Sequence, residues 1–138
     1  MYKSETTIRV RYSETDQMQY VYYGNYASYY EVGRVDSLRQ LGLTYKALEA
    51  MGIIMPVLEN HSEFLVPALY DELIRIVVTI PEKPSVRIRF KYELFNEKGT
   101  LIHRGETLLA FVNQKTGRPC RPPEEFQRVW RRIFKLGR

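Results

Sequence analysis

The sequence predicts an α+β architecture in which a long apolar helix is wrapped by a curved antiparallel sheet, with an extra helix near the C-terminal end. Three observations predict it. Apolar and tyrosine positions recur at helical spacing from Tyr26 to about Leu41. Beyond residue 52 the period changes to two, in segments separated by turn signals, as expected of neighbouring antiparallel strands. A second helical pattern covers residues 124–135. A helix with a broad apolar stripe and a sheet with one apolar face bury those faces against each other.

Residues 6–12 alternate Ile8 and Val10 with Arg9 and Arg11, a half-buried strand. The alternation fails over 13–25, which reads as a loop. Asn25 is placed to cap the helix that follows, since its side chain can accept from free N–H groups. In that helix Tyr26, Tyr29, Tyr30, Gly33 and Leu41, with Val32, Val35 and Leu38 alongside, give a stripe broad enough for a mostly buried helix. Gly33 at mid-helix costs about 1 kcal/mol against Ala, so another backbone is expected close by. Gly42 ends the helix, and a short second one spans 44–51 with Thr44 as cap and Gly52 as stop.

Residues 53–58 and 61–66 read as one long or bent strand region ending at Pro67. Ile74, Ile76, Val78 and Ile80 form the next strand, stopped by Pro81. Val86, Ile88, Phe90, Tyr92 and Leu94 alternate with Arg87, Arg89, Lys91 and Glu93, giving one apolar and one charged face. A loop at 96–99 ending in glycine marks a hairpin, and Leu101 to Asn113 returns from it. A turn at 114–117 and an extended stretch at 118–123 lead to the last helix, with Phe126, Val129, Trp130, Ile133 and Phe134 on one side.

The bulk properties bound the function. The 138 residues suffice for a single core, so one domain over 1–138 is expected, with ordinary hydrophobic (44%) and charged (27%) content. No apolar run approaches the ~20 residues of a membrane span, and the polar start MYKSETTIRV is unlike a signal peptide. Cys120 is the one cysteine and has no internal disulfide partner, so a reducing, cytoplasmic setting is expected. No His/Cys cluster has ligand spacing, so neither a metal nor a cofactor is implied. Residues 1–114 carry 13 Lys/Arg and 14 Asp/Glu, whereas 115–138 carry 8 and 2. The net charge of +5 therefore belongs to the tail. A basic tail is one route to nucleic acid, but the aromatic interleaving of an RNA-binding segment is absent.

The chemistry concentrates in YSETDQMQYVYYGNYASYYEVGR, residues 12–34, which holds Asp16 in a polar run and six tyrosines between Tyr20 and Tyr30. A helix N-terminus offers unbonded backbone N–H groups and partial positive charge, suited to a developing oxyanion. A carboxylate just upstream can serve as base or nucleophile on the same carbonyl. The pairing points to acyl transfer or hydrolysis. Tyr20, Tyr22 and Tyr23 precede the helix and are expected to face a pocket, whereas Tyr26, Tyr29 and Tyr30 are expected in the core. His61 and His103 sit within strand patterns and read as strand histidines rather than bases.

The motifs Arg11-Tyr12 with Thr15-Asp16, Val21-Tyr22-Tyr23-Gly24-Asn25-Tyr26, Tyr30-Glu31-x-x-Arg34, and Glu63-Phe64-Leu65-Val66-Pro67-Ala68 followed by Tyr70-Asp71-Glu72-Leu73 make a specific combination. With this element order the chain resembles the hotdog fold, and within it the 4-hydroxybenzoyl-CoA thioesterase-like family of acyl-CoA thioesterases. The resemblance implies hydrolysis of an acyl-CoA thioester, with Asp16 as nucleophile or general base and the backbone near Tyr23 and Gly24 as oxyanion site. Many bacterial relatives carry histidine where this chain has Tyr23; tyrosine is found in the aryl-CoA branch, and the backbone site does not depend on the side chain. Tyr22, Asn25 and Glu63 are further candidates for substrate contact. Coenzyme A is rich in phosphate, which makes Arg87, Arg89 and Lys91, or Arg118 and Arg121, candidates for its binding. The resemblance also implies a homo-oligomer, a dimer or a dimer of dimers forming a homotetramer, since a lone subunit leaves a long sheet edge unpaired. Two alternatives remain: a module that binds acyl-CoA or acyl carrier protein with little turnover, and nucleic-acid binding through the tail.

Overall fold

The computed structural model describes residues 1–135. Strand β1 (Tyr2–Arg9) leads through two short 3-10 turns, Tyr12–Glu14 and Tyr23–Asn25, into helix α1 (Tyr26–Gln40). Helix α2 (Tyr45–Ala50), β2 (Ile53–Ile54), β3 (Val57–Phe64), β4 (Leu73–Ile80), β5 (Arg87–Phe95), β6 (Leu101–Ala110), β7 (Val112–Asn113) and α3 (Glu124–Ile133) follow. Five strands form one antiparallel sheet in the order β1-β4-β5-β6-β3. The apolar face of that sheet takes α1, as the element order implied.

The clean alternation of β5 holds: Ile88, Phe90, Tyr92 and Leu94 are buried against the helix side. Several local expectations are corrected. The first strand covers Tyr2–Arg9 rather than 6–12, because all eight of those residues pair with β4, and Arg11 and Tyr12 turn away into a 3-10 turn. The region expected as one bent strand is two. Ile53–Ile54 pairs with β7, Pro56 has no N–H to continue the ladder, and β3 starts anew on β6. The strand expected from Leu101 to Asn113 likewise breaks at Phe111, whose N–H turns to the Val86 carbonyl. The last helix ends at Ile133, with Phe126 and Trp130 buried and Arg128, Arg131 and Arg132 exposed; the three residues closing the basic tail, 136–138, lie outside the described residues.

Helix α1 is less buried than its composition suggests. Its buried face is Tyr26, Tyr29, Tyr30, Gly33, Arg34, Ser37 and Leu38, while Val32 faces out at 42% exposure. Arg34 and Thr107 enter the interior paired: the Arg34 guanidinium donates to the Tyr45 hydroxyl at 3.0 Å, and the Tyr92 hydroxyl pairs with Thr107 at 2.7 Å. Gly33 does mark a close approach, but to side chains rather than backbone. A Cβ there would lie 2.9 Å from a Val78 methyl and 3.0 Å from an Ile76 methyl of β4. Gly105 on β6 is a second such place, because the Tyr30 ring crosses it at a distance that leaves no room for a Cβ. These two glycines let α1 lie directly on the sheet, which fixes its N-terminus at the sheet end formed by Phe64, Leu94 and Leu101.

Candidate functional site

At that end of the sheet an open hollow of ≈ 400 Å³ is lined by Asp16, Tyr20, Val21, Tyr23, Tyr26 and the Phe64–Pro67 segment. The loop that carries Asp16 is closed on itself. The Asp16 N–H donates to the Tyr20 carbonyl at 2.8 Å, and Asp16 Oδ1 accepts the Met18 N–H at 2.9 Å. Gln19 takes a left-handed backbone (φ 67°) to complete the turn. Asp16 itself is exposed, and the structure records no partner for its second oxygen, Oδ2.

The turn Tyr23–Asn25 presents the helix end. The N–H groups of Tyr22 and Asn25 are bonded, to the carbonyls of Glu14 and Tyr22, both at 2.9 Å. None is recorded for the N–H groups of Tyr23 and Gly24, the two that a 3-10 start leaves free. At Gly24 a Cβ would stand 2.9 Å from the exposed Tyr22 ring, which would have to move aside for any larger residue.

Asn25 does not cap the helix, contrary to expectation. It closes the 3-10 turn with a helical backbone (φ −78°, ψ −14°) in place of the extended one a cap needs, and its side-chain amide donates to the Glu14 carbonyl at 2.8 Å. Thr44, by contrast, caps α2 by accepting from the Ala47 N–H at 3.1 Å. The tyrosines also divide differently. Tyr20 and Tyr23 line the hollow, but Tyr22 lies over Gly24 and against the Tyr23 ring, at 4.7 Å. Tyr26 is both core and wall: it is 4% exposed and still lines the hollow.

Behind that wall is His103, on β6 and 1% exposed. Its ring stacks on Tyr26 at 4.1 Å and meets Phe64 edge-on at 4.9 Å. Nε2 bonds the Tyr30 hydroxyl, which also meets Ser62 Oγ at 2.6 Å; Nδ1 has no partner among the described residues. Burial pushes the imidazole down to about 4, so it is neutral at pH 7. His61 sits on the opposite, outer face of the sheet and is exposed.

Glu63 is not at the hollow. It points to the outer face and pairs with Arg104 at 3.2 Å. The basic candidates fall into two groups. Lys91 lies on the outer face with Glu63, and Arg89 is already engaged by Glu106 and Glu82. Arg87 flanks one side of the Lys83-Pro84-Ser85 loop and Arg121 the other, so residues 34 positions apart in the chain meet around Lys83. No ion pair involves Lys83, Arg87 or Arg121 among the described residues. Arg118 is exposed and belongs to neither hollow. This basic loop is at the far end of the sheet from Asp16, seven residues along β5 from Leu94, or about 23 Å at 3.3 Å per residue.

Two residues that the local sequence pattern does not single out stand out in the structure: Glu14, which is bonded to Arg11, Tyr29 and the Tyr22–Asn25 segment, and Lys83, which lies in the loop between β4 and β5. Among the described residues no group of three or more His, Cys, Asp or Glu could hold a metal ion, and no helix is long and apolar enough to cross a membrane.

Comparison with known proteins agrees with this fold. Residues 10–129 match the family described as the thioesterase-like superfamily. The crystal structure of a DHNA-CoA thioesterase from Staphylococcus aureus superposes with a TM-score of 0.92 at 34% identity, covering 96% of this chain and 91% of that one. A hypothetical protein from Thermus thermophilus gives a TM-score of 0.86 at 37% identity, covering 92% and 96%. The acyl-CoA thioester hydrolase YbgC of Shigella flexneri is 27% identical over 117 residues, 85% of this chain and 87% of that protein.

Proposed function

This chain is a hotdog-fold member of the thioesterase-like superfamily, a thioester hydrolase by kinship, and we propose that it hydrolyses acyl-CoA thioesters with Asp16 as the reacting carboxylate. The observation that carries the reading is that Asp16, with one carboxylate oxygen uncommitted, shares a hollow with the unbonded N–H end of α1. A thioester carbonyl placed there has its oxygen toward the Tyr23 and Gly24 N–H groups, which stabilise charge as it develops. Asp16 Oδ2 then either attacks the carbonyl carbon or takes a proton from the water that does. In the first route the C–S bond breaks with coenzyme A leaving as the thiolate, and water then hydrolyses the Asp16 mixed anhydride to release the acid and restore the carboxylate; in the second the water adds to the carbonyl, the C–S bond breaks, and the acid forms directly as the thiolate takes up the proton held by Asp16. A thioester is reactive enough that positioning and an oxyanion site suffice without a Ser-His-Asp triad.

The apolar walls Tyr20, Tyr23, Tyr26, Phe64 and Val66 suit the acyl group. The phosphates need cations, and the unpaired Lys83, Arg87 and Arg121 supply them, about 23 Å away in the same subunit. A dimer removes that separation. Strand β3 is an unpaired edge carrying exposed Val57, Leu58 and Phe64. Two-fold antiparallel pairing of β3 with its copy reverses direction, and brings the partner's basic loop to the Asp16 end of this subunit. A homodimer with the site shared between subunits, able to pair again into a tetramer, follows. The sole cysteine suits a reducing, cytoplasmic compartment.

The test is release of free thiol from a panel of aryl-, short- and long-chain acyl-CoAs and acyl carrier proteins. Turnover of acyl-CoAs is expected. Binding without turnover of any of them would favour a binding module and overturn the reading.

A further inference from the structure

The structure assigns to Glu14 the role of a positioning residue, the strut that holds the Asp16 turn against the N-terminus of α1. Glu14 is 8% exposed although Tyr12, Ser13 and Asp16 around it are exposed. Its side chain and its backbone both bridge elements. Oε1 accepts the Tyr29 hydroxyl at 2.9 Å and the Arg11 backbone N–H at 2.8 Å, and Oε2 accepts the Arg11 guanidinium at 3.1 Å. The Glu14 carbonyl accepts the Tyr22 N–H at 2.9 Å and the Asn25 amide at 2.8 Å.

One residue therefore bonds Arg11 in the segment after β1, the turn that bears the free N–H groups, and the first turn of α1. Tyr29, fully buried, anchors the far side. Asp16 is two residues along, within about 7 Å of chain at 3.3–3.6 Å per residue, and a bridge between Thr15 and Val21 closes the gap. The carboxylate and the oxyanion donors are thus set relative to each other through Glu14 and not through contacts of Asp16 with the helix. Burial alone would favour the protonated acid, but the Arg11 N–H, the Tyr29 hydroxyl and the Arg11 guanidinium hold Glu14 below the usual carboxylate range, so it is ionised at neutral pH. A residue that aligns two halves of a site acts on turnover more than on ground-state binding, since small misplacements cost rate.

This role rests on Asp16 being the reacting carboxylate. The experiment compares wild type, Glu14→Gln, Asp16→Asn and the double variant in steady-state acyl-CoA hydrolysis, with amide hydrogen exchange of the substrate-free proteins. Glu14→Gln is expected to lower kcat at least tenfold with KM changed less than threefold, and to add no further loss in the Asp16→Asn background. The Met18 amide, held by Asp16, is expected to exchange at least tenfold faster in Glu14→Gln. An equal further loss in the Asp16→Asn background, or an unchanged Met18 amide, overturns the strut. If Asp16→Asn hydrolyses at the wild-type rate, the catalytic reading falls instead, and Met18 exchange alone still decides what Glu14 does.

Discussion

His103 gives the folded protein an acid-sensitive joint, and its size can be worked out. The group is 1% exposed, faces Tyr26 and Tyr30 of α1 and Ser62 and Phe64 of β3, and none of these contacts is a carboxylate that would welcome a proton. The unfolded chain takes the proton near 6.5, and the folded protein resists it until about 4. The neutral ring is the form the fold favours. Its stabilisation is fully present above about 6.5 and is lost as pH falls toward 4. At 1.36 kcal/mol for each pH unit between the two values, that loss is about 3 kcal/mol. The perturbation is His103→Phe, which keeps a flat ring on Tyr26 but cannot be protonated. Urea denaturation of both proteins at pH 7 and pH 4 separates this effect from the carboxylates, which they share. Wild type is expected to lose about 3 kcal/mol more than His103→Phe across that interval. Parallel losses in the two proteins would refute the reasoning.

Other outcomes follow from the packing and charge. Gly105→Ala places a Cβ where the Tyr30 ring crosses the sheet and should cost about 2–3 kcal/mol of stability by denaturation, as overpacking does. Gly33→Ala should cost about 1 kcal/mol despite the better helix propensity of alanine, because Val78 and Ile76 must give way. Arg121→Glu should raise KM for acyl-CoA about tenfold or more at low salt and leave kcat nearly unchanged, with the wild-type KM rising as salt is added. Mixing Asp16→Asn with Arg121→Glu subunits at subsaturating substrate should restore about a quarter of wild-type activity, since half of randomly formed dimers hold one intact shared site; no restoration would place Asp16 and the basic loop in the same subunit's site.

How far the sequence reaches is visible element by element. The alternation of β5 reports burial directly, because each side chain's face is set by a period of two, and it survives intact in the structure. The helix stripe is legible too, though Val32 shows that an apolar residue off the contact line stays exposed. Pro56 was a readable break, since a missing N–H interrupts any ladder. The Asn25 cap failed for a different reason: the 3-10 turn Tyr23–Asn25 starts the helical backbone before Asn25, so its side chain is not placed to accept from the first N–H groups of α1. The placement of Asp16 in a turn ahead of α1 was legible, because a polar run before a helical pattern is a local signal. Glu14 and the Lys83–Arg121 cluster were not, because each is defined by contacts between segments far apart in the chain.

The most direct measurement is single-turnover hydrolysis of a saturating acyl-CoA by wild type and Asp16→Asn, with binding of the free coenzyme followed in parallel. The variant is expected to bind coenzyme A as wild type does and to hydrolyse about 100-fold or more slowly, the scale of a lost acid–base or nucleophilic group. Equal single-turnover rates in the two proteins would contradict the assignment of the chemistry to Asp16.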